Sequence, residues 1–482
     1  MPVDRSRIIR TGVRVAVALV VGAVAVGVVG AAAIGSWPEH RAEPGSVVVA
    51  PDEAIQQRVC PGPLLSIGDD AAAATAVESF GSTSVVSASV PEDAEIGKTS
   101  LAAPENSGAD QDGTPVVLDA QPGAVEAGML AGAQSQTAQS DVLAGFAAAS
   151  CTEAASESWL VAGATTLGRS SLVLLANPTD VAATVDVRVS GESGPVEARS
   201  AVGITVAPRT QRVLSLAGLA PNLASPVVHV TSTGGAIAAS LEQSVIEGLA
   251  PAGIELTGPT APPASSLVIP GLVIGGSGGV AADEDHAEGD AFPAVRLHVP
   301  GDDPVQATVG VAKVGGGDGD SFDVELQPGT VSDIPLGDLA AGTYTVRIEA
   351  DGPVVAAARS SIGTAESETD AGAPADLAWF VASRPLLDSA VVAVPSGPSA
   401  TLQLAGGEDG ATEATVTVDG RSTNVSVPAL GAVSVPLRGR EVLLEGVEGV
   451  SAAVTYSSGS SLAAFAVMPP GPLDSPIRVF PR

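Results

Sequence analysis

ATVDVRV, residues 183–189, alternates apolar and polar side chains with a period of two. That period sends one face of an extended strand into a core and the other into solvent. The alternation returns as ATVGVAKV (307–314) and ATVTV (414–418). Each time there follows a strand, a Pro-containing turn and another strand: ITVAPRTQRVLSL (204–216), VELQPGTVSDIPL (324–336) and VSVPALGAVSVPL (425–437). Proline has no N–H for the ladder, so it breaks pairing where the chain must turn. Small-residue strands then close each unit: GFAAAS (145–150), GAIAAS (235–240), VVAAARSS (354–361) and VSAAVTYSS (450–458).

Two further echoes give a period. VCPGPLLSIG at 59, LVAGATTLG at 160, VIPGLVIGG at 268 and FVASRPLLD at 380 place Gly62, Gly163, Gly271 and Ser383 at intervals of 101, 108 and 112 residues. QPGAV (121–125) returns as QPGTV (327–331), about twice that period. Between 156 and 262 the pattern yields seven or eight short strands, WLVAG, LVLLAN, ATVDVRV, GITVA, RVLSL, VVHVTS, AIAASLEQSV and GIELT. That density of strands and turns predicts an all-β chain of tandem immunoglobulin-like β-sandwich modules. A propeller is the alternative, although its blades would need about half this period. The expected modules are 47–155, 156–262, 263–372 and 373–482, joined by linkers such as GPTAPPASS (258–266) and TAESETDAGAPAD (364–376). The first is degenerate, with an acidic, turn-rich stretch at 91–114 that reads as partly disordered.

Composition limits the chemistry. The 482 residues are 45% hydrophobic but only 2% aromatic, so the cores must be built of Val, Ala and Leu. A formal charge of -32 excludes nucleic acid as a partner, because phosphates would be repelled.

The N-terminus carries Arg5, Arg7, Arg10 and Arg14 before an uncharged stretch from Val15 to Ile34. Twenty such residues, rising about 1.5 Å each as a helix, match a hydrocarbon core of about 30 Å. Residues 1–14 therefore read as a cytoplasmic basic tail and 15–34 as one transmembrane anchor, with the remainder outside the cytoplasm. The alternative is a signal cleaved after the small residues Ala31–Ala33, which would leave a secreted protein. Outside the membrane the two cysteines, Cys60 and Cys151, should be joined in a disulfide.

ESWLVAGATTLGRSSLVLLANPTDVAATVDV, residues 157–187, resembles the signature stretch of an actinobacterial family of membrane-anchored or secreted proteins whose function is not established. More loosely the resemblance runs from Val47 to Pro470, taking in VCPGPL and the Cys151 position. It implies an envelope protein of a high-GC Gram-positive bacterium and a partner that is an envelope protein or glycan, a glycosyltransferase among the candidates. It carries over no catalytic residue.

The residues themselves suggest no reaction centre. His40, His229, His286 and His298 stand alone, without a metalloprotease motif or a nucleophile elbow. Trp159 and Trp379 read as core tryptophans at matched positions, which leaves no platform for stacking sugars. Asp318, Asp320 and Asp323 in GGGDGDSFD (315–323), and the loop DEDHAEGD (283–290), are candidate Ca2+ ligands that lack EF-hand order. The expected function is a non-enzymatic scaffold or binding protein of the envelope; the alternative is an accessory subunit or hydrolase in cell-wall glycan metabolism.

Overall fold

The computed structural model of the chain describes residues 13, 16–27, 47–49, 55–67, 77–275, 293–316, 319–337, 339–363, 376–471 and 477–479. The chain forms two compact units, one of Met1–Pro51 with Ser475–Arg482 and one of Asp52–Asp474. In the smaller unit residues 16–27 are helical, and Val47–Val49 pairs antiparallel with Ile477–Val479. No helix among the described residues is long and apolar enough to cross a membrane. The ends of the apolar stretch, 15 and 28–34, lie outside the described residues.

The larger unit repeats one strand order three times in full and once in part. In the second module eight strands follow one another in the repeated order, Glu157–Leu160, Arg169–Asn177, Ala183–Gly191, Ile204–Val206, Thr210–Ser215, Val227–Gly234, Ala238–Glu247 and Ala250–Thr257, and a ninth, Gly194–Val196, forms an extra hairpin with the third. One sheet has the order first, sixth, third, fourth; the other has fifth, second, seventh, eighth. The third module repeats this from Ala264–Ile274 to Asp376–Val381, its sixth and seventh strands being two halves of Gly342–Ile362. The fourth repeats it from Ser389–Ala393 to Ser461–Val467. In the first module Gln56–Cys60, Val116–Ala120 and Gly97–Ser100 form one sheet, and Ser84–Ser89, Leu130–Gln139 and Ala144–Ser150 the other. These are the first, sixth, third, second, seventh and eighth strands. The fourth and fifth have no counterpart among the described residues.

Several expectations are corrected by this topology. In an immunoglobulin sandwich the first two strands lie in one sheet; here they lie in opposite sheets in every module. Alternation and turn spacing count strands without saying which layer each joins, so the connectivity was not fixed by the pattern. Asp376–Val381 pairs with Gly342–Ile362 and closes the third module, so the boundary drawn at 372 falls one strand short. The echo at 380 is accordingly not a module opening. The opening strand of the fourth module is Ser389–Ala393, which runs into VPSG at 394–397. QPGAV links the sixth and seventh strands of its module and QPGTV the fourth and fifth, so they share turn chemistry and not position. The stretch 91–114 holds the strand Gly97–Ser100 and a short helix, Ala109–Asp112.

The modules are not strung in a row. Their eighth strands pack on one another in cyclic order, first on second, second on third, third on fourth and fourth on first. This explains a contrast in burial. The third strand of module two is buried only at alternate positions, Ala183, Val185, Val187 and Val189, whereas Asp376–Val381 is buried throughout and Ser461–Val467 nearly so. A sheet covered on both faces loses the amphipathic alternation. Cores are shared accordingly: Phe146 and Ala148 pack into the fourth module's core, and Leu377, Trp379 and Val381 into the second's. Alanine at 147, 148, 378, 463 and 464 lets these sheets approach closely.

At the meeting point sits Asp376, fully buried. Its carboxylate accepts four backbone N–H groups, one from each eighth strand: Phe146 at 2.9 Å, Ile254 at 3.3 Å, Leu462 at 2.9 Å and its own neighbour Leu377 at 3.1 Å. Burial raises its pKa to about 7, against the pull of these N–H groups. Glycine makes the approach possible. At Gly145, with φ +138°, an added Cβ would come within 2.5 Å of Asp376 Oδ1.

Cys60 and Cys151 form the expected disulfide. It joins the end of the first strand to the residue just past the eighth, tying together the two sheets of the first module. Closing so long a loop is worth about 4 to 5 kcal/mol in the chain-entropy account.

Candidate functional site

Register assembles the site. Trp159, His229 and Arg188 are direct cross-strand neighbours on the first, sixth and third strands of module two. Their positions alternate with core residues such as Leu160, Val228 and Val189, so they stand on the face turned away from that module's core. Against this face comes module three, bringing His298 from the second strand. The Trp159 and His229 rings stack at 3.9 Å with 7° between planes, and His298 lies 5.8 Å from Trp159.

Above them opens a cleft of about 650 Å³. Arg188, Glu197 and Arg199 line one wall, and Pro300 to Asp302 with Pro328 and Gly329 line the other. Among the described residues the guanidinium groups of Arg188 and Arg199 have no hydrogen-bond or ion-pair partner. Other described arginines of these modules are held: Arg209 pairs with Asp180 at 2.8 Å, Arg296 with Asp333 at 2.8 Å, and Arg212 with Glu105.

Both histidines are neutral acceptors at neutral pH. Burial pushes His229 down, opposed by its hydrogen bond to Glu157 Oε1 at 2.8 Å, and Arg188 adds to the lowering. Burial likewise lowers His298, whose Nδ1 donates to the Thr330 carbonyl at 2.9 Å. In each ring the other nitrogen keeps a lone pair. The buried Trp159 Nε1 has no acceptor.

A clamp beneath the cleft fixes the two modules. Arg296 is completely buried, yet every part of its guanidinium is used: it donates to the carbonyls of Gly163, Pro226 and Ala224 in module two and to Asp333 in module three. It also lies 4.5 Å over the Trp379 ring, whose Nε1 donates to Gln243 at 2.7 Å. Burial pushes Asp333 up, but the charge and hydrogen bonds of Arg296, the charge of Arg359 and a hydrogen bond from Ser225 override it and hold the carboxyl below its usual range. A buried ion saturated this way holds its surroundings in one geometry, so the cleft is preformed.

The residues singled out from sequence fall in different places. Trp159 and Trp379 are both buried, but one is on an opening strand beneath the cleft and the other on a closing strand. His229 and His298, alone in sequence, converge on one tryptophan. Spacing could not reveal this, because 159, 229 and 298 are neighbours only through sheet register and module packing. Asp320 and Asp323 lie on the strand Asp320–Leu326, where Asp323 accepts from Thr308 Oγ1 at 2.7 Å. Asp318, His40, His286 and the loop 283–290 lie outside the described residues. Among those described, no group of three His, Cys, Asp or Glu is arranged to hold a metal ion.

Fold and site define an all-β protein of repeated two-sheet modules, stapled by one disulfide and carrying a cleft between its second and third modules. A family model described as a family of unknown function (DUF5719) matches residues 105–438, and the chain belongs to that family. A search of curated proteins finds no match. Among solved structures, the crystal structure of Thermotoga maritima 1070 is similar over 25% of this chain and 92% of its own, at 13% identity and a TM-score of 0.19.

Proposed function

We propose that the chain is a non-enzymatic scaffold or binding protein of an actinobacterial cell envelope. Residues 15–34 would hold it to the cytoplasmic membrane and the ring of sandwich modules would stand outside. The observation that carries this reading is the Cys60–Cys151 disulfide in a chain with no free cysteine, downstream of an arginine-flanked apolar stretch. Disulfides of this structural kind persist in oxidising compartments. The preformed cleft supports a binding role, since little ordering remains to oppose association. An envelope protein or glycan, a glycosyltransferase included, is the expected partner.

Protease added to intact spheroplasts tests the placement. The ring should be reached while the N-terminal tail stays protected in the membrane fraction; complete protection of the chain, or recovery from the cytosol, defeats it. Crosslinking in living cells should then recover an envelope component. Turnover of wall glycan by the purified chain, abolished by one carboxylate substitution, would instead establish the glycan-metabolism alternative.

A further inference from the structure

We propose that the cleft between modules two and three binds an anionic polyol, a sugar acid or sugar phosphate, whose charged group is held by Arg188 and Arg199. The assignment rests on the binding-protein half of the reading above and is independent of where the chain resides.

Three features of the cleft converge on this class of ligand. First, the chain carries 54 acidic residues against 22 basic ones, so an arginine without a carboxylate partner is exposed to competition it has not met. Two such arginines line one cleft, on the strand Ala183–Gly191 and the turn Arg199–Ala201. A carboxylate or phosphate between them would form charge-assisted, forked hydrogen bonds. Second, apart from the Ser190 hydroxyl and the Trp159 indole N–H, the remaining polar side chains offer acceptors. Glu197 and Asp302 line the cleft, as do His229 and His298, each with one unprotonated ring nitrogen. Acceptors without matching donors suit a ligand rich in hydroxyls, and the same carboxylates would repel a bare anion. Third, the stacked Trp159–His229 pair gives the cleft a rigid floor on which the arginines and acceptors are held in place. Pro195, Pro300 and Pro328 stiffen the rim, and Arg296 locks the modules below it.

The full-length chain in detergent can be titrated calorimetrically with an oligoglucuronate, glucose 1-phosphate, a neutral malto-oligosaccharide and inorganic phosphate. Binding of the first or the second identifies a carboxylate or a phosphate as the anchored group. The double variant Arg188→Gln, Arg199→Gln should weaken that binding about tenfold or more, with the unfolding midpoint unchanged because both side chains are exposed. Replacing Glu197→Gln together with Asp302→Asn should also weaken it. Stronger binding in that second variant would mean the carboxylates only repel, and would overturn the polyol assignment. So would inorganic phosphate binding as tightly as the sugar phosphate. Equal affinity for the neutral oligosaccharide, an unchanged affinity in the arginine variant, or no binding of either the oligoglucuronate or glucose 1-phosphate would overturn the proposal while leaving the envelope reading to its own crosslinking result.

Discussion

Asp376 takes its backbone donors from strands that belong to four different modules. Replacing it therefore acts on module docking before it acts on any one core. Asp376→Ala leaves four buried N–H groups without an acceptor, and each such orphan costs about 1–3 kcal/mol. A loss of about 4 kcal/mol or more is expected in urea unfolding, with a smaller loss for Asp376→Asn, which keeps one carbonyl oxygen in place. A second buried carboxylate has a different signature. Burial raises Glu242 to about 8, although the Leu65 N–H it accepts lowers it somewhat. The folded state thus keeps a proton that the unfolded chain releases near the ordinary value of 4.5. That stabilisation is complete below about pH 4.5 and is lost as pH rises through about 8. Asp376, raised to about 7, acts in the same direction. Melting temperature should fall between pH 5 and 8, and Glu242→Gln, an uncharged isostere, should flatten part of that slope. A slope unchanged in the variant would show that Glu242 is ionised in the fold.

The elements differ in what they reveal and in what they tolerate. In the third strands Val185, Val187 and Val189 alternate with Thr184, Asp186 and Arg188, and the burial follows that alternation. The turns at Pro208, Pro328 and Pro428 were equally legible, because proline forbids the ladder wherever the strand would continue. The closing strands were not. AGFAAAS and DLAWFV show no period of two because both faces are covered, the outer one by a strand about a hundred residues away. The resemblance of FVASRP to the module openings was misleading for the same reason: a doubly buried strand and an opening strand are both continuous apolar runs. These differences give opposite expectations for substitution. Val187→Ala empties a position inside one sandwich and should cost about 2 kcal/mol while the modules stay docked. Gly145→Ala places a methyl group against Asp376 in a backbone conformation that alanine resists. It should loosen the ring at least as much as Asp376→Asn does, and hydrogen exchange should show lost protection at Phe146, Ile254 and Leu462 together. Loss confined to Phe146 would mean that the four strands do not act as one unit.

At the level of the whole larger unit, the same modules could in principle be carried as separate beads or closed on themselves, and the two arrangements place their apolar surface differently. Separate sandwiches need each outer sheet face polar. Here the outer faces of the second sheets carry Leu172, Leu174, Ile254 and Leu256 from module two, packed with Ala147 and Ala149 of module one, while Leu462 and Ala464 of module four pack into module three. Exposing these faces would give up burial worth about 25 cal/mol per Å², so closure follows from the composition of the second sheets. A hydrogen bond and an aromatic contact bind the last module back to the first: Ser135 Oγ donates to the Ser396 carbonyl at 2.7 Å, and the Phe146 and Tyr456 rings meet at 5.3 Å. A closed unit spanning Asp52–Asp474 should have a radius of gyration of about 22 Å, whereas four sandwiches in line, about 40 Å each, would give roughly 46 Å. Small-angle scattering of that fragment separates the two values easily. With the disulfide reduced, the closed value should persist at low temperature but give way at lower urea concentration. The cystine ties the two sheets of module one, whereas closure is made by the eighth strands, so an immediate expansion on reduction would mean that the cystine and not Asp376 holds the ring shut.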